Sequence, residues 1–286
     1  MIKENNLNES KGPQWWYIIC LIFPLLLTSV SGCNRNEKSV DSLFHFDTDS
    51  DSARYYFTCG WKKIMDEGRW TDSEIAFRKA VTFDPDFVLG KILVGRISRD
   101  LEEREMILKE VETNQKQLSK EGNLLYEMHR MSVEFMNYRA TGIEIPAAER
   151  TLRDSISFHH RRKFIDLYPN EPYEKAEYIE VIHHKLGAQS ALDTLQSIAT
   201  QHQLELPFYI SYQAMLLSEL GYYNEAFLYL DRLDSILDDN APARYYTRGI
   251  VMMNMDSIAS ANVMVQQAYQ LDTNHLLAKG LLERLK

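Results

Sequence analysis

A pattern that returns every thirty-five residues constrains this chain more than any other feature of its sequence. Ala191, Leu195 and Ile198 recur as Ala226, Leu230 and Leu233, and again as Ala261, Val265 and Ala268. Each triplet steps by four and then three, the spacing that puts three side chains on one stripe of an α-helix. Sixteen residues upstream stand Lys175-Ile179-Ile182, Ile210-Ala214-Leu217 and Tyr245-Gly249-Met252, with a polar first member in the earliest copy. Near the start, Phe57-Trp61-Ile64 precedes Ser73-Phe77-Ala80 by the same sixteen. One helix pair cannot bury its own apolar face, whereas neighbours in a stack bury it in sequence, so the pattern predicts an all-α array.

Gly68 and Gly221 mark turns inside the pairs, and Pro85 stops a second helix because it cannot extend the hydrogen-bond ladder. Small residues at Ala214, Ala226, Gly249 and Ala261 let antiparallel helices approach closely. The central region departs from the repeat, with a Glu/Lys-rich helix expected over 100–119 and a long one over 146–168. About six helix pairs are expected, with a terminal helix over 274–286.

The stretches Glu67-Gly68-Arg69-Trp70, Ala76-Phe77-Arg78-Lys79-Ala80 with Asp84-Pro85, and Gly221-Tyr222-Tyr223-Asn224-Glu225-Ala226 resemble the tetratricopeptide repeat (TPR) family. The resemblance spans roughly residues 53–286. It implies a right-handed superhelical solenoid of antiparallel pairs whose first helices line a concave groove. Projected from the repeat phase, the groove residues are Tyr55, Lys62, Tyr173, Glu180, His183, Met215, Glu219, Tyr246 and Asn254.

The N-terminal segment carries a different signal. Trp15–Val30 is uncharged but shorter than the roughly 20 residues a spanning helix needs, and Pro24 interrupts it. Val30-Ser31-Gly32-Cys33 closes it with small residues and one Cys, and resembles a bacterial lipobox. The resemblance implies cleavage before Cys33 and lipidation of its thiol, two acyl chains giving a stable anchor. The expected organisation is therefore a signal peptide over 1–32, a polar tether over 33–52 and a helical repeat domain over 53–286. Asp47-Thr48-Asp49-Ser50-Asp51 opens like a calcium loop but has Ser52 where Gly is needed and Thr58 where a Glu should close it, so it reads as tether. With Cys20 removed and Cys33 lipidated, Cys59 stands alone as a small hydrophobe, and stability must come from packing.

Forty-one Asp and Glu against 32 Lys and Arg leave a net charge of −9, which argues against a nucleic-acid partner. No phosphate loop, GxSxG, HExxH or CxxC is present, so no enzyme, cofactor or metal is expected. His183 and His184, with Glu180 four residues before His184, read as solvated or groove-lining rather than as metal ligands. The run His159-His160-Arg161-Arg162-Lys163 reads as a solvated helix face, and Asp100-Leu101-Glu102-Glu103 as a favourable helix start. Trp61 and Trp70 fall on core phases and read as packing. The functional expectation is a noncatalytic scaffold that binds a protein or peptide partner in its concave groove. It is tied by lipid to the cell envelope, at the periplasmic or surface face of the outer membrane. The alternative is a glycan-binding surface lipoprotein accessory to polysaccharide uptake.

Overall fold

The computed structural model describes residues 44–114 and 118–285. The expected signal peptide over 1–32, Cys33 and the expected tether up to residue 43 lie outside the described residues. The rest is all-α: α1 (Asp51–Met65), α2 (Trp70–Phe83), α3 (Val88–Ile97), α4 (Leu101–Asn114), α5 (Lys120–Thr141), α6 (Ala147–Leu167), α7 (Pro172–Leu186), α8 (Ala188–Ile198), α9 (Pro207–Glu219), α10 (Tyr223–Ile236), α11 (Pro242–Asn254), α12 (Ile258–Leu271) and α13 (Leu276–Arg284). Each helix packs on its successor, and α3 also meets α5 as α9 meets α11. Among the described residues there is no strand, and no helix is long and apolar enough to cross a membrane.

Local chemistry explains the boundaries. Pro172, Pro207 and Pro242 open α7, α9 and α11 thirty-five residues apart, at a first-turn position where a missing N–H costs nothing. Ser50 caps α1 by accepting the Ala53 N–H at 3.2 Å, and Asp100 accepts the Glu102 N–H at 2.9 Å, as the acidic run predicts. The triplet residues Ala191, Leu195, Ala226, Leu233, Ala261, Val265 and Ala268 are completely buried. At Gly249 a Cβ would stand 2.5 Å from Val265, so glycine is what allows α11 to lie so close to α12. Lys175, the polar member of its triplet, is also buried. Its ammonium is saturated by the carbonyls of Pro169 and Ile198 at 2.5 and 2.8 Å and by Gln203 Oε1 at 2.7 Å.

Part of the segment expected to be tether is folded. Phe44 and Phe46 are buried, their rings against Phe164 and Phe57 at 5.3 and 4.6 Å, and Asp47 accepts both the N–H and the hydroxyl of Ser119 at 2.9 Å. Residues 44–50 thus belong to the folded unit, because two phenylalanines gain more from the core than from solvent.

The turn between α1 and α2 reaches across to the later repeats. Asp66 accepts the Tyr173 hydroxyl at 3.0 Å and the Phe208 N–H at 3.1 Å, and the Glu67 carbonyl accepts the Ala243 N–H at 3.1 Å. Tyr173, Phe208 and Ala243 are one repeat position in three successive copies, so one turn lies along the starts of α7, α9 and α11. Gly68 makes this approach feasible: its φ is +71°, and a Cβ there would meet the Ala243 nitrogen at 2.8 Å.

Candidate functional site

Beside this turn lies a cavity of about 410 Å³, a size usual for ligand pockets. Its walls are aromatic: Trp61 and Trp70 from the first pair, Phe208 and Tyr212 from α9, Tyr246 from α11, and His275 at the start of α13. The repeat register accounts for much of this lining. Glu177, Tyr212 and Thr247 share one phase, Ser211 and Tyr246 a second, Glu180 and Met215 a third, and all of them border the cavity. His275 accepts the Ala278 N–H at 3.2 Å, and its ring lies 5.1 Å from Tyr246 and 5.9 Å from Trp70. Burial lowers its pKa to about 4, so it is neutral at pH 7.

One wall is ionic. Glu177 on α7 pairs with Arg96 of α3 and Arg161 of α6, and Arg161 also faces Glu174 at 3.7 Å. His129 of α5 bridges the set, with Nε2 at 2.8 Å from Glu174 and Nδ1 at 3.3 Å from Arg96. Arg96 can only donate, so Nδ1 accepts and the His129 proton sits on Nε2. The Arg96 guanidinium lies 5.7 Å from the Trp61 ring centre, within cation–π range. Burial opposes ionisation of Glu177, yet Arg96 and Arg161 outweigh it and hold its carboxyl below the ordinary range. Glu180, one turn further along α7, behaves oppositely. Burial and the Glu177 charge push it up to about 7 despite Arg96 and Arg161. Its side chain is exposed and borders the cavity.

His129, Glu174 and Glu177 bring three ligand atoms within 4.8 Å of one another, all buried. Two guanidinium groups already supply the positive charge there and would repel a divalent cation, so the cluster acts as an ion-pair network.

Of the nine residues expected to face a groove, Glu180, Met215 and Tyr246 border the cavity. His183 and Glu219 join each other at 3.0 Å, with Tyr212 at 2.9 Å from the other His183 nitrogen, and Asn254 donates to Ser218 at 2.8 Å. These three link neighbouring repeats. Tyr55 and Lys62 are exposed and do not border the cavity. Tyr173 is a correction: it is buried, stacked on Trp61 and bonded to Asp66, because the α1–α2 turn covers the face on which it stands.

Three further expectations change. Arg161 is not part of a solvated face, since its position one turn before Phe164 and Ile165 turns it inward to Glu177. Trp61 and Trp70 do pack, but both also border the cavity. Cys59 is only half-buried. Arg96 and Glu177 carried no individual signal, although the shared phase of Glu177 with Tyr212 and Thr247 pointed inward. No family model, no curated protein and no solved structure matches the chain.

Proposed function

We propose that this protein is a noncatalytic TPR-like scaffold, its helix pairs stacked as a right-handed superhelical solenoid, that binds a protein or peptide partner. In this reading Cys33 ties it by lipid to the bacterial cell envelope. The observation that carries it is the cavity of about 410 Å³ with aromatic walls and few polar groups, bordered by the inner helix starts of successive repeats. An open groove running the length of the array is the less favoured form, because the α1–α2 turn already occupies the starts of α7, α9 and α11. Partner contact is accordingly assigned to a short segment entering the cavity. The two tryptophans that border the cavity are what favour the glycan alternative, since indole faces also stack on sugars.

The test is photocrosslinking in the native cell from a benzophenone amino acid placed at Met215 or Tyr246, with Leu228, on the exposed face of α10, as control. A single protein adduct from the cavity positions and not from Leu228 supports the reading. Equal labelling from Leu228, or no protein adduct from the cavity, overturns it. Cys33→Ser should release the protein from the membrane fraction. Retention there would remove the anchor from the proposal.

A further inference from the structure

Three formally charged residues border the cavity: Arg96, Glu177 and Glu180. Arg96 and Glu177 pair with each other, and Arg161 and Glu174 behind them complete two charges of each sign. His275 is neutral near pH 7. Glu180 is the surplus negative group, and its carboxylate makes no hydrogen bond or ion pair with any described side chain. Aromatic hydroxyls stand near it: burial raises the Tyr212 phenol and Glu180 adds to the shift, while Tyr246 is pushed up to about 12 by burial, lowered by Arg284 and raised again by Glu180.

This asymmetry discriminates between ligand classes. Among the residues that border the cavity an anion would find only Arg96, already engaged by Glu177, His129 and the Trp61 face, since Arg284, near Tyr246, does not line it. A neutral ligand would leave the surplus carboxylate without a counter-charge inside the occupied cavity. A cation gains the carboxylate as counter-ion and several ring faces for its charge and stem. We infer that the cavity is a site for an organic cation, an ammonium or guanidinium head on an apolar body, with Glu180 as its counter-ion. The inference rests on the cavity being the contact site proposed above, and it assigns to the partner segment a Lys or Arg side chain, with a free amine as the other source of the same chemistry.

Calorimetric titration of the full-length protein in detergent at pH 8 tests it, using 2-phenylethylammonium, its neutral isostere 2-phenylethanol and the capped tripeptide Ala-Lys-Ala. The ammonium should bind at least about tenfold tighter than the alcohol. Glu180→Gln should erase that preference and Glu180→Asp should retain part of it, with melting temperatures near that of the unchanged protein. Equal binding of amine and alcohol, or a preference that survives Glu180→Gln, overturns the cation assignment and leaves the cavity as a ligand site. Binding of neither overturns both. Tripeptide binding that depends on Glu180 assigns the head to a partner's side chain, and its exclusion while the amine binds assigns it to a free amine.

Discussion

Thr71 and Asp272, 201 residues apart, are joined twice: the Thr71 N–H donates to one carboxylate oxygen at 2.9 Å and its hydroxyl to the other at 2.7 Å. Asn274 adds a bond to the Thr71 hydroxyl at 2.9 Å, and Arg99 donates to the Asn274 carbonyl at 2.6 Å. The first helix pair is therefore fastened to the last turn of the array. A stack in which each repeat touches only its neighbours could unravel from either end, whereas here both ends share bonds.

Thr71→Val and Asp272→Asn should each lower stability by about 1–2 kcal/mol, the cost of leaving a partly buried partner unmade. Asp272 also accepts the Asn274 N–H at 2.9 Å, so the pair itself must be isolated by a double-mutant cycle in urea. A coupling of about 0.5 kcal/mol or more is expected, and strict additivity would show that the ends are not energetically linked.

Gly68→Ala should destabilise by at least about 2 kcal/mol, since it combines a positive φ with a clash against the Ala243 nitrogen. Gly221 has a φ of +84° but nothing within 4 Å of where an alanine methyl would stand, so Gly221→Ala should cost only about 1 kcal/mol. Thermal unfolding of the two variants compares strain alone with strain plus contact. Equal losses would mean that the turn tolerates displacement from α11.

Glu171 is buried at the start of α7, where its carboxylate accepts the Glu174 N–H at 2.7 Å. Burial, then the Glu174 charge, push it up to about 8. The unfolded chain releases this proton near the usual pKa of about 4.3 while the folded chain keeps it, so unfolding releases a proton and stability falls as pH rises between the two values. Asp66 at about 6 and Glu180 at about 7 act in the same direction. Glu171→Gln keeps an acceptor without the charge and should flatten the decline in urea stability from pH 5 to 8 by up to about 1.4 kcal/mol per unit. A variant curve parallel to that of the unchanged protein would contradict this.

Arg161→Met should cost about 3 kcal/mol or more, because it strands Glu177 and Glu174 in the interior beside a single remaining guanidinium. Arg162→Ala removes the exposed pair with Asp166 at 3.0 Å and a hydrogen bond with Tyr178, and should lower stability by no more than about 1.5 kcal/mol. Chemical denaturation of both separates an interior ion network from a basic surface run, and similar small losses would return Arg161 to the surface.

The helices themselves were legible in the residues. The Ala191, Ala226 and Ala261 triplets foretold α8, α10 and α12, and the expected helices over 100–119 and 146–168 match α4 and α6 to within a few residues. Period and capping are local properties, set by 3.6 residues per turn and by side chains a few positions away. Lys175 and Arg161 were not legible as interior groups, because burial of a charge depends on acceptors that arrive from distant helices.

What the sequence determined by itself was a series of helix pairs in fixed phase, since apolar stripes and turn residues act over a few positions. The closure of that series, by the α1–α2 turn against Tyr173, Phe208 and Ala243, was decided only in three dimensions. It depends on bonds between residues more than a hundred positions apart, which no single stretch of residues encodes. The cavity lies beside that closure, with Gly68, Phe208 and Ala243 in its walls together with Glu180.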